Sequence, residues 1–547
     1  MRPHRIILNG KRNLSLANLH SPKIRSNCLK ALRRKKTHFV SLRVKKMKIL
    51  TKAGDEIILI YHPSEQLEVG ENLILIEKSS QRGLLVQVIE ENLVDLPGIL
   101  EDIVRREAIA SKAEVAERTP SEIEKIMLDI RNMKAARTKI RKEIRNGEIL
   151  PWTGWTPSRE VQIKPLPDEE LTEKLGIGID YPMEIGETIY NKKPLKVSGF
   201  DFQGINVIVG KKGTGKSHLA KTILLGLIDN GARSIVFDIN DEYSALKYLE
   251  TGEKSEYYDK IITLEPNPPL GSEYKPLKFM LDYIGLEVIY TILTQVLNLP
   301  EASAYSFREN WDAIKEVEDL DPDLVESKLL DARVSRREIE AIRKRVEQIR
   351  NTGVITPDPE EETRIEELLE GIREGGAIII NLKAKSVVTQ QIVVQTIITK
   401  IQEILEKPDS TPIFLFAEEA HLYLQRTIWT DIVTRMRHLG AFQFYMTNTP
   451  TSLDELIIRQ TDNIFIFNLT NRSDLNHLLP ATKIDEETIL SITKALPPRT
   501  FLTIGQATGE YPFIAQTKPL KQKTAGKTKL LWKRSKAGYF PLKNHFS

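Results

Sequence analysis

Hydrophobic and polar residues alternate in short runs between residues 47 and 91, a pattern that predicts β-strands. The runs lie at residues 48–50, 56–61, 72–77 and 84–89. Glycine-containing triplets separate them and favour tight turns, at residues 53–55, 69–71 and 81–83. Short strands joined by tight turns indicate a small β-barrel, which we assign to residues 47–95.

Residues 96–170 are predicted to form a helical segment followed by a linker. Residues 119–122, with the sequence Thr-Pro-Ser-Glu, offer a helix N-cap, a proline at the first helical position and a capping-box glutamate. The residues around 151–167, which include Trp152 and Trp155, are interpreted as a linker that wraps onto the next domain. Apolar residues recur at mostly helical spacing, with basic residues between them, at Ile123, Met127, Ile130, Ile140 and Ile144.

From residue 205 the pattern changes to short, nearly continuous apolar runs separated by helical stretches. Strands of this kind are buried on both faces, which is typical of a parallel sheet covered by helices. Residues 171–517 are therefore predicted to form an α/β domain with a mostly parallel sheet. Residues 297–375 are charged and helical in pattern, and we expect a solvated helical insertion there. The apolar runs are 205–209, 234–237, 377–382, 413–416, 442–446 and 463–467.

Length and composition limit the classes of protein to consider. A chain of 547 residues is too long for one ordinary core, and 41% hydrophobic with 28% charged residues is a globular balance. No apolar stretch approaches the ~18 residues of a membrane span, and the N-terminus lacks the features of a secretory signal. We therefore expect a cytoplasmic protein without membrane contact. The single cysteine, Cys28, excludes an intrachain disulfide framework and a multi-cysteine zinc site.

Charge is distributed unevenly along the chain. Residues 1–46 contain fourteen Lys or Arg and residues 518–547 contain nine, with no Asp or Glu in either segment. Because the formal net charge is only +4, residues 47–517 are acidic. Basic ends are usually solvated and flexible, and they can also contact nucleic-acid phosphates without reading sequence. For residues 1–46 two interpretations stand: a disordered basic extension, or a segment that is not translated because the start codon is Met47.

A complete phosphate-binding motif lies between a predicted strand and a predicted helix at residues 218–227. Glycines in such a loop let successive backbone N–H groups point at phosphate oxygens, and the helix N-terminus adds partial positive charge. The loop and His218 after it are therefore predicted to bind ATP, with Lys216 at the β- and γ-phosphates and the Ser217 hydroxyl on Mg²⁺. The motif reads Gly210-Lys211-Lys212-Gly213-Thr214-Gly215-Lys216-Ser217.

Two adjacent carboxylates, Glu418 and Glu419, follow the apolar run at 413–416. Ligands of open α/β sheets bind at the carboxyl ends of the strands, so we expect both glutamates to face the P-loop. Glu418 is predicted to support the magnesium shell and Glu419 to polarise the attacking water. The alternative is a surface glutamate pair at a helix start, where acidic residues are favoured.

These motifs together resemble the HerA-type hexameric DNA translocases of the HerA/FtsK group. The resemblance implies a RecA-like P-loop ATPase core, preceded by a small β-barrel and interrupted by a helical insertion, and it covers most of residues 47–517. It also implies ATP hydrolysis with Mg²⁺ in a homohexamer on double-stranded DNA, beside a nuclease of the NurA kind. The segments that carry it are the P-loop, Val236-Phe237-Asp238-Ile239-Asn240-Asp241-Glu242-Tyr243 and Glu418-Glu419-Ala420-His421.

The resemblance supplies three further candidate residues. Arg437 lies where this family carries an Arg-Lys-aromatic-Gly element, which makes it the candidate arginine finger for a neighbouring subunit; Arg472 is the second candidate. Either residue can equally be a surface arginine. After the strand at 442–446 the family usually has Ser/Thr-Gln-Arg-Pro, whereas this chain has Thr-Asn-Thr-Pro. The amide of Asn448 can still sense the γ-phosphate, although the arginine is missing.

The hypothesis of a DNA translocase or helicase acting in end processing or repair competes with two others. DNA contact rests on the resemblance, because no helix-turn-helix, zinc finger or aromatic stacking motif stands out. The first is a DNA-pumping ATPase for conjugation or virus packaging, which would use the same kind of ATPase domain. A regulatory ATP-binding module would not need a water-activating carboxylate, so the paired glutamates argue against it.

Overall fold

The computed structural model describes residues 47–77, 80, 82–94, 132–423, 435–482, 484–494 and 496–525. Residues 1–46 and 526–547 lie outside these ranges, as do the predicted helix start at 119–122 and Ile123, Met127 and Ile130. Two β-sheets organise the described part, one within residues 47–165 and the other within residues 182–516.

The first sheet is antiparallel and consists of seven strands. They are β1 (Met47–Ala53), β2 (Glu56–Tyr61), β3 (Asn72–Glu77), β4 (Arg82–Leu93), β5 (Lys134–Arg145), β6 (Glu148–Leu150) and β7 (Gln162–Pro165). The order is β1-β2-β5-β4-β3-β7, with β6 paired to β5. Side chains such as Ile57, Leu59 and Leu75 form its core. Since no pairing joins β1 to β7 within the described ranges, the predicted barrel is confirmed only as a curled antiparallel sheet.

Strands β5, β6 and β7 correct the helical segment and linker predicted for residues 96–170, because residues 134–165 contain three strands of the first sheet, and Trp152 and Trp155 pack against the core of that sheet and not onto the next domain. Ile140 and Ile144 lie in this strand, which pairs with β2 on one side and β4 on the other. A spacing of four residues puts two side chains on the same face of a regular strand as well as of a helix, so the apolar pattern did not distinguish them. In β5 the register shifts between Ile140 and Lys142, so that Ile140 lies in the core of the first sheet and Ile144 packs against a core cluster of the second sheet. Pairing with strands from residues 56–93 decided the conformation, and the sheet therefore extends beyond the predicted boundary at residue 95.

The second sheet has twelve strands. They are β8 (Pro182–Thr188), β9 (Pro194–Ser198), β10 (Ile205–Val209), β11 (Arg233–Asp238), β12 (Ile261–Glu265), β13 (Lys275–Pro276), β14 (Gly376–Asn381), β15 (Ile413–Glu418), β16 (Ala441–Thr447), β17 (Asn463–Ile466), β18 (Thr500–Gly505) and β19 (Phe513–Gln516). Their order is β13-β12-β14-β11-β15-β16-β10-β17-β18-β19-β8-β9. The strands from β13 to β17 are parallel, and those from β17 to β9 pair antiparallel. The predicted α/β class is confirmed, with a mixed sheet.

Helices cover the second sheet and fill its long connections. They are α1 (Asp168–Lys174), α2 (Lys216–Asp229), α3 (Leu281–Ile284), α4 (Leu286–Thr291), α5 (Glu301–Glu309), α6 (Trp311–Ile314), α7 (Pro322–Asp331), α8 (Arg336–Arg350), α9 (Ile365–Gly371), α10 (Val387–Leu405), α11 (Arg437–Leu439), α12 (Glu455–Arg459), α13 (Arg472–Leu478) and α14 (Glu486–Lys494). Within the described ranges, none of the helices has the length and apolar character needed to cross a membrane.

Burial on both faces accounts for the continuous apolar runs of the parallel strands. In β11, Ile235 and Phe237 belong to one core cluster, whereas Val236 belongs to the cluster on the other face. All six residues of this strand are buried. The sheet therefore separates two hydrophobic cores, and no alternation with polar residues is needed.

The charged stretch that was predicted as an insertion is helical and shares the main core. In α8, Ile339, Ile342, Val346 and Ile349 recur at spacings of three and four residues and are buried. These side chains belong to the same core cluster as Phe237 of the central sheet. The charged residues between them face solvent, which is the usual distribution for an amphipathic helix on a protein surface.

Candidate nucleotide-binding site

The P-loop, residues 210–217, connects β10 to α2 at the carboxyl edge of the parallel strands. Gly210 has a φ of 149° and Gly215 a φ of 120°, a region of backbone conformation that favours glycine. A Cβ atom at Gly210 would lie 2.6 Å from Cβ of Phe467, so a side chain does not fit there. The glycines therefore permit the tight turn that aims backbone N–H groups at phosphate oxygens.

The Lys216 side chain folds back over the loop. Its Nζ donates to the carbonyl oxygens of Gly210 at 2.9 Å and Lys211 at 3.3 Å, and also to Oδ1 of Asn448. Burial lowers the pKa of this ammonium, while the charges of Glu419 and Glu418 act in the opposite direction. The loop and the residue after β16 thus fix a positive charge where P-loop proteins hold the β- and γ-phosphates.

Glu418, the last residue of β15, contacts the other side of the P-loop. Ser217 donates through Oγ to its Oε1 at 3.1 Å. Its other oxygen, Oε2, is buried and has no hydrogen-bond partner among the described residues. Burial raises the pKa of Glu418 to about 8, and the neighbouring carboxylates of Asp238 and Glu242 add to the shift. Because a buried carboxylate is costly without a partner, this position favours a bound cation.

Glu419 faces the same edge and is held by the last residue of β16 and the residue after it. Its Oε2 accepts from Oγ1 of Thr447 at 2.8 Å, and its Oε1 accepts from the backbone N–H of Asn448 at 3.0 Å and from the Asn448 side-chain amide. Its backbone is left-handed, with a φ of 46°. Asn448 therefore bridges Lys216 and Glu419, and the two residues predicted to act on ATP lie together.

Asp238, at the end of β11, is a structural anchor for the loop that follows it. Its carboxylate accepts from the backbone N–H groups of Asn240 at 3.2 Å, Glu242 at 2.7 Å and Tyr243 at 2.9 Å. Burial raises the pKa of Asp238 to about 6. The anchored loop brings Glu242 to Lys221 of α2, with which it forms an ion pair at 3.1 Å. Asp238 belongs to one of the segments that carry the family resemblance, and the fold shows its hydrogen-bond partners.

The two arginine-finger candidates do not join this cluster. Arg437 pairs with Asp462 at 3.0 Å, and Asp462 also accepts from the N–H of Ile205 at the start of β10. Arg437 therefore lies at the amino edge of the sheet, separated from its own P-loop by about 20 Å, the length of a strand such as the seven-residue β16. Arg472 is exposed and pairs with Glu486 at 2.9 Å.

The remaining P-loop residues have mainly structural contacts. Thr214 donates through Oγ1 to the carbonyl of Lys211 at 2.7 Å, which closes the turn. The His218 ring Nε2 lies within hydrogen-bond distance of the Lys518 carbonyl, and burial lowers the pKa of His218. Lys211 and Lys212 are exposed at the tip of the loop.

Replacing Lys216 with alanine is expected to weaken ATP binding by at least about tenfold, in line with 1.5–3 kcal/mol for a hydrogen bond to a charged group. The truncation removes the ammonium and leaves the Gly210 carbonyl and the Asn448 side chain without their donor. Lys212→Ala is the matched control, because Lys212 belongs to the binding loop through its backbone N–H, which alanine keeps, and loss of its exposed side chain should change affinity by less than about twofold. Calorimetric titration with ATP compares them, and equal losses in both variants would contradict the assignment.

A glycine-rich loop, a buried lysine and two strand-end glutamates at one sheet edge define a P-loop ATPase. Residues 184–401 match the family model described as the central domain of helicase HerA. The chain therefore carries a HerA-like ATPase domain. The matched segment includes the P-loop and Asp238 and ends before β15, the strand that carries Glu418.

Solved structures with partial similarity to this chain include VirB4, a conjugative coupling protein and a genome packaging NTPase, by their names. VirB4 of Thermoanaerobacter pseudethanolicus is 13% identical, with 62% of this chain and 96% of that chain covered and a TM-score of 0.45. The bacterial conjugative coupling protein TrwB is 15% identical, with 63% and 90% covered and a TM-score of 0.45. The genome packaging NTPase B204 from Sulfolobus turreted icosahedral virus 2 is 13% identical, with 58% and 98% covered and a TM-score of 0.29. Among curated protein sequences, none matches this chain.

Proposed function

We propose that this protein is an ATP-driven translocase or helicase that acts on double-stranded DNA as a homohexameric ring, in DNA end processing or repair. The observation that carries the proposal is the hydrogen-bonded bridge from Lys216 through Asn448 to Glu419. This bridge joins the phosphate-binding lysine to a carboxylate from a different strand. The HerA-like domain supports DNA as the substrate, because it is named for a helicase family.

The bridge suggests how hydrolysis is coupled to nucleotide state. Glu419 would orient a water molecule towards the γ-phosphate and accept its proton. Asn448 donates to Glu419 and accepts from Lys216, so it is sensitive to any movement of the lysine when phosphate binds. We assign Asn448 as the γ-phosphate sensor, in place of the family's Gln-Arg pair. Loss of the γ-phosphate would then be relayed to β16 and the residues that follow it.

Magnesium would be held by Ser217 and Glu418. The fit rests on the unpartnered, buried Oε2 of Glu418 and on the hydroxyl of Ser217, both oxygen donors of the type that Mg²⁺ prefers. No group of three or more carboxylate, imidazole or thiol side chains able to hold a metal occurs in the described part of the chain. Two protein ligands, Ser217 and Glu418, suit Mg²⁺. This ion usually keeps several water ligands and binds phosphate oxygens together with one or two carboxylates. When bound, the ion would neutralise charge on the transferring phosphate.

Arg437 can act on ATP only in an assembly of several subunits. An arginine at the amino edge of the sheet is a strand length away from the P-loop of its own chain. If Arg437 acts on ATP, it must therefore do so in a neighbouring subunit, as arginine fingers supplied in trans do. A ring of identical subunits places such an arginine at every interface. Arg472, exposed and paired with Glu486, remains the second candidate.

The proposed partners follow from the translocase assignment. DNA would be tracked through its phosphate backbone, without sequence readout. A nuclease of the NurA kind would supply strand cleavage, a chemistry for which the P-loop site has no role. The alternative function, a DNA-pumping ATPase for conjugation or virus packaging, would use the same ATP site to move a different DNA substrate.

The decisive experiment measures ATP hydrolysis with and without duplex DNA, alongside native mass. We expect duplex DNA to raise the ATPase rate by at least about fivefold, which corresponds to about 1 kcal/mol of activation free energy. The stimulation should fall steeply as salt rises, because backbone contacts release counterions. A hexameric native mass is expected under the same conditions. An ATPase rate that duplex DNA does not change, in a protein that stays monomeric, would contradict the proposal.

A further inference from the structure

A second side of the P-loop is formed by residues that the motif did not identify. Arg499 immediately precedes β18, whose first residues run beside the carboxyl end of β17. Its backbone N–H donates to the carbonyl of Thr214 at 2.8 Å, and its own carbonyl accepts from the N–H of Thr517 at 2.9 Å. Backbone hydrogen bonds thus connect Arg499 to the P-loop on one side and to the residue after β19 on the other.

The backbone of Arg499 is strained. Its φ of 64° lies in the left-handed region, which costs a residue with a side chain about 1 kcal/mol or more and which glycine adopts freely. The preceding residues, Pro497 and Pro498, lead directly into this turn. A strained non-glycine residue beside a binding loop points to a role for its side chain.

The side chain of Arg499 packs against Gly215 of the P-loop. A Cβ atom built on Gly215 would lie 3.1 Å from Cα and 3.6 Å from Cγ of Arg499. Arg499 is exposed, and among the described residues no carboxylate forms an ion pair with its guanidinium. Its positive charge is close enough to His218 to help lower the pKa of that ring, after the larger effect of burial. A guanidinium without a carboxylate partner in the described part of the chain thus lies beside the first turn of α2.

The order of the strands indicates which phosphate group of a bound nucleotide this arginine faces. β10 lies between β16 and β17, so the P-loop has Asn448, Glu418 and Glu419 on its β16 side. These are the groups assigned to the γ-phosphate, the metal and the attacking water. Arg499 lies on the opposite side, beyond β17. A nucleotide whose γ-phosphate points to Glu419 therefore extends its α-phosphate towards Arg499.

We infer that Arg499 is a nucleotide-binding residue that holds the α-phosphate of ATP and of ADP. A guanidinium forms forked hydrogen bonds to phosphate oxygens, and its charge adds to that of the α2 N-terminus. Because the α-phosphate is common to both nucleotides, Arg499 strengthens the binding of ATP and ADP alike and leaves the hydrolysis step to the β16 side. The inference needs only ATP binding at the P-loop and does not depend on DNA.

The test is Arg499→Gly, with Arg333→Gly as the matched control. Arg333 is also exposed and has a φ of 62°, but it lies between α7 and α8, in the helical insertion. Each variant therefore loses one arginine and relieves the same backbone strain. Titration calorimetry without DNA measures the affinities for ADP and for a non-hydrolysable ATP analogue. Thermal unfolding without nucleotide checks that both variants are folded.

We expect Arg499→Gly to lower the affinities for ADP and for the ATP analogue by the same factor. The factor is roughly ten- to a hundredfold, as for a lost charge-assisted hydrogen bond. Arg333→Gly should stay within about twofold of the parent, as for surface charges generally. Unchanged ADP affinity in folded Arg499→Gly would overturn the inference. A loss confined to the ATP analogue would also overturn it, because it would place the guanidinium at the γ-phosphate. Failure of the unmodified protein to bind ADP would reject the nucleotide site itself, whereas the translocase proposal is tested separately with DNA.

Discussion

Replacing Glu419 with glutamine is expected to leave ATP binding within about threefold of the parent and to lower ATP turnover by about a hundredfold or more, as for a positioned general base. Glutamine keeps the shape of the side chain and retains an oxygen for the backbone N–H of Asn448. It cannot accept a proton from the attacking water. Binding is measured by calorimetry with a non-hydrolysable analogue, and turnover by phosphate release with saturating duplex DNA.

Glu265→Gln is the control for the loss of a buried carboxylate at the same sheet edge. Glu265 ends β12, pairs with Lys385 at 2.8 Å and lies three strands away from β15. Its substitution should leave turnover within about twofold, because electrostatic effects on distant groups are screened. If Glu419→Gln also stays within about twofold, water activation must be assigned elsewhere. The protein would then be closer to a regulatory ATP-binding module than to a motor.

Replacing Arg437 with alanine is expected to lower DNA-stimulated turnover by about a thousandfold, the lower end for arginine fingers. ATP affinity should change little, because the residue lies a strand length from the P-loop of its own chain. The variant also loses the ion pair with Asp462, so thermal unfolding has to be measured as well. Arg437→Lys keeps a charge for Asp462 without the planar fork, and it should remain strongly impaired.

A mixing experiment distinguishes action in trans from a structural role. Arg437→Ala and Glu419→Gln are both inactive, but a ring containing both variants has interfaces that combine an intact Glu419 with an intact Arg437 from the neighbouring subunit. Partial recovery of turnover on mixing is therefore expected. Arg472→Ala serves as the comparison and should remain near the parent. No recovery on mixing, or a loss in Arg472→Ala in place of Arg437→Ala, would contradict the assignment.

The central strands show that the apolar pattern alone predicts the positions of buried parallel strands. The run at 205–209 is β10 without correction, and the runs at 234–237 and 413–416 differ from β11 and β15 only at their ends. These strands are buried on both faces, so their residues carry a continuous apolar pattern that does not depend on strand order. The antiparallel half of the sheet was not predicted. Strands β18 and β19 mix apolar residues with threonine and glycine, and their pairing is decided by contacts with β17 and β8.

Strand β5 shows the limit of periodicity. Ile140 and Ile144 fit a helix and a strand equally well, since both conformations put residues four apart on one face. The choice depends on β2 and β4, whose residues lie roughly forty to eighty positions earlier in the chain than their partners in β5. No local sequence feature records that pairing. Contacts of this kind override local propensity when they bury a whole strand.

By itself, the sequence determined the local chemistry of this protein. The P-loop residues are contiguous, and the turn that they form requires its glycines. The two glutamates lie at the end of β15, a strand whose apolar composition already indicates that it is buried. Only the tertiary structure decided which of these groups meet. Strand order places Asn448 between Lys216 and Glu419, puts Arg437 at the opposite edge, and brings Arg499 against Gly215. The physical reason is that strand order is set by long-range hydrogen bonding and core packing, which leave no periodic trace along the chain.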